Sequence, residues 1–168
     1  EGPTTIIDGF TIINGYASGN SAKGAAIKCD DASSPTIRNC IFRNNIVTGN
    51  YSGGGAIGCE SGSNAVISNC SFSNNQAGRY GGAVYSLFSN LTLSNCTFTG
   101  NATTNTDPSG YGGAVCFSES TSAISHGTLN GNTSTYGGGA IGIINNSNIT
   151  ITDSAIRNNN AEGDNSHA

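Results

Sequence analysis

Residues 81–101 read GGAVYSLFSNLTLSNCTFTGN. The stretch opens on Gly81-Gly82-Ala83-Val84 and closes on Phe98-x-x-Asn101, and both signatures recur. The first returns as Gly54-Gly55-Ala56-Ile57, Gly112-Gly113-Ala114-Val115 and Gly138-Gly139-Ala140-Ile141, with Gly24-Ala25-Ala26-Ile27 a degenerate copy. The second pairs Phe42 with Asn45 and Phe72 with Asn75. It continues with an aliphatic in place of the ring at Leu129 with Asn132 and Ile156 with Asn159. An aliphatic stands five positions before each of these: Ile37, Ile67, Leu93, Ile124 and Ile151, and Ile7 stands likewise before Ile12. The two signatures alternate throughout, yet the step from Ala56 to Ala83 is 27 residues and that from Ala83 to Ala114 is 31. Fixed short segments joined by loops of varying length mark a solenoid of stacked coils.

Each coil of about 26–31 residues is expected to hold three short strands. The first is the segment from Ala26 to Cys29 and its copies, the second surrounds the lone aliphatic (Ile37), and the third is Cys40-Ile41-Phe42. Alternation within a strand puts Ile27 with Cys29, and Cys40 with Phe42, on one face. Phe42, Phe72 and Phe98 should therefore stack in the core. Asn39, Asn69 and Asn95 fall at the bend between strands two and three, where a left-handed backbone suits Asn. They are read as an asparagine ladder, continued by His126 and Asp153. Helix is a poor alternative, since each Gly of the recurring doublets costs about 1 kcal/mol relative to Ala in a helix. A β-sandwich would not need the same residue at the same place in successive segments. The expectation is one right-handed parallel β-helix over residues 1–168, with about six coils.

Composition agrees. Charged residues are 10% of the chain and the formal charge is -4, with 25 Gly, so this is a turn vocabulary rather than that of a disordered polyelectrolyte. The six Lys and Arg are scattered, which argues against nucleic acid as a partner. No apolar run reaches the length of a membrane span.

Candidate sites are few. Of the ten acids, Asp30, Asp31 and Glu60 form the best cluster, just past strand one of adjacent coils. A calcium or sugar site there would need more partners than Lys28, so they read as solvated turn acids. Glu1, Asp107 and Asp164 are isolated, and His126 and His167 share no metal spacing with Cys. No catalytic residue, cofactor or metal is called for. The cysteines fall in columns: Cys40, Cys70 and Cys96 in one, Cys29 and Cys59 in another. They read as buried free thiols acting as small hydrophobes, with a Cys29–Cys59 disulfide left open. Cys116 fits neither column. Eight sequons occur. Asn69 and Asn95 are assigned to the ladder, which leaves Asn50, Asn90, Asn101, Asn132, Asn145 and Asn148 as candidate N-glycosylation sites.

The alternation of Gly-Gly-Ala-aliphatic with Phe-x-x-Asn resembles the repeat of the chlamydial polymorphic membrane proteins, autotransporter adhesins with β-helical passengers. The opening Ile7-Asp8-Gly9-Phe10-Thr11-Ile12 resembles a segment common in pectin-lyase-like β-helix proteins. The resemblance implies an extracellular or cell-surface setting and, for a passenger, adhesion. Relatives of this fold also include polysaccharide lyases and glycoside hydrolases, whose sites need paired carboxylates. The leading expectation is a non-catalytic structural or adhesive module. The alternatives are a segment of a carbohydrate-active enzyme and a glycosylated extracellular fibril. The sequence opens at a strand-two residue and stops where a strand one should follow, which suggests a stretch of a longer rod. Expected partners are glycans and further coils, including copies of itself head to tail.

Overall fold

The computed structural model describes residues 5–105 and 110–163. Glu1, Asp107, Asp164 and His167 lie outside the described residues. Strands of two to five residues follow one another, with no helix among the described residues. Each strand pairs in parallel with those one turn away, for example Ile37 with Ile7 and Ile67. The chain thereby winds as a right-handed parallel solenoid.

Each turn holds four strands rather than the three expected. Sheet 1 contains Ile6–Asp8, Thr36–Arg38, Val66–Ser68, Thr92–Ser94, Thr121–Ser125 and Asn148–Thr152. Sheet 2 contains Thr11–Ile13, Ile41–Arg43, Ser71–Ser73, Thr97–Thr99, Thr128–Asn130 and Ala155–Arg157. Sheet 4 holds the five segments Ile27–Cys29, Ile57–Cys59, Val84–Leu87, Val115–Ser118 and Ile141–Ile144. The unexpected sheet 3 contains Tyr16–Ser18, Ile46–Thr48, Gln76–Ala77, Ala102–Thr103, Thr133–Ser134 and Asn160–Ala161. It lies where a loop was expected after Phe-x-x-Asn. Its strands send one residue each inward, and that residue changes from turn to turn: Val47, Ala77, Thr103, Ser134. A position without a recurring side chain has no repeat signature.

The core consists of columns of like residues in register. Ile7, Ile37, Ile67, Leu93, Ile124 and Ile151 form one. Ile12, Phe42, Phe72, Phe98, Leu129 and Ile156 form another. Phe42 and Phe72 have ring centroids 4.9 Å apart at 8°, and Phe72 and Phe98 4.7 Å apart at 5°. The strand spacing of a parallel sheet, about 4.8 Å, imposes that face-to-face geometry, which isolated rings avoid in favour of offset or edge contacts. Phe72→Leu should cost only about 1–2 kcal/mol in denaturant unfolding, because Leu129 already fills the same column and what is lost is ring contact. A loss of about 3–5 kcal/mol, as for an unfilled cavity, would show that Leu cannot replace the ring there.

The first glycine of each doublet turns the chain into sheet 4. Gly24, Gly54, Gly81, Gly112 and Gly138 all have positive φ, between 56° and 70°. At Gly81 and Gly112 a Cβ would overlap the main-chain oxygen three residues on, of Val84 and Val115 respectively. Only glycine meets both demands.

Candidate functional site

The asparagine ladder runs through a different column from the one expected. It is formed by the Asn that closes each Phe-x-x-Asn: Asn45, Asn75, Asn101 and Asn132 are fully buried. Asn75 Nδ2 donates to Phe42 O at 3.0 Å and to Asn101 Oδ1 at 3.0 Å, and Asn75 N donates to the same Asn101 Oδ1 at 3.0 Å. The pattern repeats from Asn45 to Asn75, from Asn101 to Asn132 and from Asn132 to Asn159. These amides close the corner between sheets 2 and 3 and satisfy main-chain groups that would otherwise be buried without partners. Two glycosylation candidates are thereby corrected. Asn101 and Asn132 have no exposed surface, and both have their amide nitrogen engaged in two hydrogen bonds. Asn50, Asn90, Asn145 and Asn148 are exposed.

Asn39, Asn69 and Asn95 stand instead on the outside of the corner between sheets 1 and 2. Their φ values are 54°, 52° and 52°, so the left-handed bend expected of them is present. Their side chains are exposed and do not bond one another. Asn39 Nδ2 donates to Asp8 Oδ1 at 2.8 Å. Among the described residues the Asn69 and Asn95 amides have no hydrogen-bond partner. Further along the column, His126 Nε2 lies 4.0 Å from Asp153 Oδ2. An open trough of about 400 Å³ runs beside Asn39, Asn69 and Asn95.

The acid cluster is neutralised internally. Lys28 Nζ is 2.8 Å from both Asp30 Oδ2 and Glu60 Oε1, and Lys23 Nζ is 3.3 Å from Glu60 Oε2. Asp30 is held below the usual carboxylate range, first by its hydrogen bond from Lys28. Asp31 is exposed at a positive φ and joins none of these ion pairs. Asp8 is lowered by the Asn39 amide and by Arg38, whose Nε lies 2.9 Å away. Ionised carboxylates fixed to cations are poor proton donors, and the two-carboxylate chemistry of glycosidases needs one acid held protonated. No group of three or more His, Cys, Asp or Glu suited to a metal ion occurs among the described residues.

All six cysteines are free and buried. The disulfide left open between Cys29 and Cys59 is not formed, although the two are in register on neighbouring parallel strands. In-register neighbours of a parallel sheet project their side chains the same way, which aligns the thiols side by side. Cys40, Cys70 and Cys96 donate to the carbonyl oxygens of Arg38, Ser68 and Ser94 at 3.0, 3.2 and 3.3 Å. Cys116 sits between Tyr85 and Gly142 on the outer face of sheet 4. It is nevertheless fully buried, and burial raises its pKa. The cause is a strip folded over that face, bridged in parallel through Lys23, Gly53, Tyr80, Tyr111 and Gly137. Tyr80 stacks on Tyr85 at 4.9 Å, and the Arg79 guanidinium lies 5.0 Å from the ring centres of both Tyr51 and Tyr80. The bridged tyrosine column begins only at Tyr80, since Lys23 and Gly53 hold its place in the first two turns, and its trace in the sequence is the Tyr that precedes the glycine doublet at Tyr80-Gly81-Gly82 and Tyr111-Gly112-Gly113.

Comparison with curated proteins finds no match, and comparison with solved structures finds none. A family model described as the right handed beta helix region matches residues 3–124. With its parallel sheets, stacked core columns and inner asparagine ladder, the chain belongs to the right-handed β-helix family.

Proposed function

We propose that this chain is a non-catalytic rod module of an extracellular or cell-surface protein, serving as scaffold and binding through its outer surface. One observation carries the reading: the buried recurring asparagines and the best acid cluster are both committed to holding the stack together. The Phe-x-x-Asn amides are bonded within the ladder, and the carboxylates of Asp30 and Glu60 are tied to Lys28. Much of the exterior varies from turn to turn, and it is sparsely charged, with polar side chains interspersed with exposed apolar ones such as Phe10, Tyr51 and Phe88. The likeness of the repeat to adhesin passengers supports the same setting. Glycans and further β-coils, copies of this chain included, are the partners this surface suits.

The β-helix also serves enzymes, and fold alone does not choose between the two. The purified protein should release neither unsaturated products nor new reducing ends from pectate, alginate or xylan. Turnover that disappears in Glu60→Gln or Asp30→Asn would overturn the non-catalytic reading.

A further inference from the structure

We propose that the trough along the outer corner between sheets 1 and 2 binds a linear, neutral oligosaccharide through the side-chain amides of Asn69 and Asn95. The proposal rests on the surface-binding part of the function above and gives it a place and a ligand class.

Four observations select that class. The first is the regular array. Asn39, Asn69 and Asn95 occupy equivalent places in successive turns, so their amides recur at about the 4.8 Å spacing of parallel strands. Asn69 and Asn95 are exposed, and each free amide offers both donors and an acceptor, the pairing that sugar hydroxyls also present. The second is the wall. Ile41, 45% exposed, provides an apolar surface for the C–H face of a sugar ring, and the side chains of Ser71 and Thr97 add hydroxyls to the lining.

The third is charge. The trough is lined by no ionisable side chain other than the thiols of Cys40 and Cys70, which are buried and bonded to main-chain carbonyls. The cation nearest in sequence, Arg38, is paired with Asp8. Arg43, on the same outward face two residues past Ile41, lies outside the lining, so an anionic polymer would find no counter-charge among the lining residues themselves, and desolvating an unpaired charge is costly. The fourth is the main chain. The turns flanking the trough are hydrogen-bonded to their neighbours in sheets 1 and 2, so no strand edge is open for an added peptide strand. A polymer of hydroxyls along the rod fits what remains. The volume of about 400 Å³ falls within the range of small-ligand sites, at its lower end.

The test uses glycine, because Gly tolerates the left-handed backbone that Asn69 and Asn95 adopt. The double variant N69G/N95G removes both amides without forcing the bend. The whole chain is titrated calorimetrically with cellotetraose, chitotetraose, xylotetraose and maltotetraose, with tetragalacturonate as the anionic comparison. Tyr51→Ser, on the aromatic flank, is the control variant. At least one neutral tetrasaccharide should bind the unaltered chain and Tyr51→Ser alike, and bind N69G/N95G at least about tenfold more weakly. The variant should melt within a few degrees of the unaltered chain, as expected for a change at exposed side chains. The side-chain amide resonances of Asn69 and Asn95 should shift on titration. Undiminished binding in N69G/N95G, loss confined to Tyr51→Ser, or preference for tetragalacturonate would overturn the site while leaving the module's surface-binding role standing. Failure of all four neutral sugars to bind would also overturn it. Only polysaccharide turnover would overturn the non-catalytic reading itself.

Discussion

Asn101→Ala should destabilise the chain by about 3–5 kcal/mol in denaturant unfolding, although it removes no charge and little volume. Asn101 Oδ1 accepts from both Asn75 N and Asn75 Nδ2 at 3.0 Å, and Asn101 Nδ2 donates to Phe72 O at 3.1 Å and Asn132 Oδ1 at 2.9 Å. Alanine leaves an Asn75 N–H and one Asn75 amide proton buried without acceptors, and strips a donor from Phe72 O. Each such group costs about 1–3 kcal/mol when no water can reach it. Asn101 and Asn75 are both fully buried, so water is excluded unless the corner opens. Asn101→Asp separates this account from simple loss of packing. Its carboxyl would be buried facing two acceptors, and its folded pKa should be raised well above the ordinary value of about 3.9. The folded state would then hold its proton after the unfolded chain has released it, so stability should fall as pH rises above about 4. The Ala variant should show no such added slope. A loss under about 1 kcal/mol for Asn101→Ala would mean that the ladder is ornamental to the stack.

Gly112→Ala should be comparably severe for a different reason. Gly112 has φ +70°, which costs an L-residue about 1–2 kcal/mol by itself. Its added Cβ would overlap Val115 O and lie 2.7 Å from Gly142 N. Both are main-chain atoms, so no rotamer change relieves the contact. Shifting Gly142 would also disturb the next turn. The summed cost is about 3 kcal/mol or more, enough to threaten folding of a marginally stable domain. Gly131→Ala supplies the internal comparison. Gly131 has φ +65°, but an added Cβ there meets nothing within 4 Å. It should pay only the conformational cost of about 1–2 kcal/mol. Equal melting temperatures for the two variants would remove the steric part of the argument.

These two positions also show where reading the sequence succeeds and where it stops. The doublet glycines are legible because their demand is local: a left-handed bend and a close approach recur in every turn, and only one residue type answers. The aliphatic and phenylalanine columns are legible for a related reason. Parallel stacking in register places each residue on its own equivalent one turn away, so the core writes itself as a repeat. The asparagines are less legible. Asn39, Asn69 and Asn95 and the Phe-x-x-Asn set both recur beside a bend, and both satisfy the preference of Asn for corners. The second set persists through Asn132 and Asn159, whereas the first gives way to His126 and Asp153. A buried amide with four hydrogen-bonding duties tolerates no such exchange, and an exposed one does. That persistence is the signal by which the inner ladder could have been picked out. Sheet 3 had none, because Val47, Ala77, Thr103 and Ser134 share only their inward direction.

By itself, then, the sequence determined that the chain is a parallel β-helix, which aliphatic and phenylalanine columns face its axis, and which glycines make its bends. Those properties follow from patterns a few residues long, repeated once per turn. The tertiary structure alone decided the fourth strand of each turn, the column of asparagines turned inward, the burial of Cys116 under the tyrosine strip, and the free amides of Asn69 and Asn95 beside an open trough. Each of these depends on the direction a side chain takes at a corner or on what a loop folds across, and a recurring residue type, such as the asparagines beside both corners, does not by itself say which way its side chain turns.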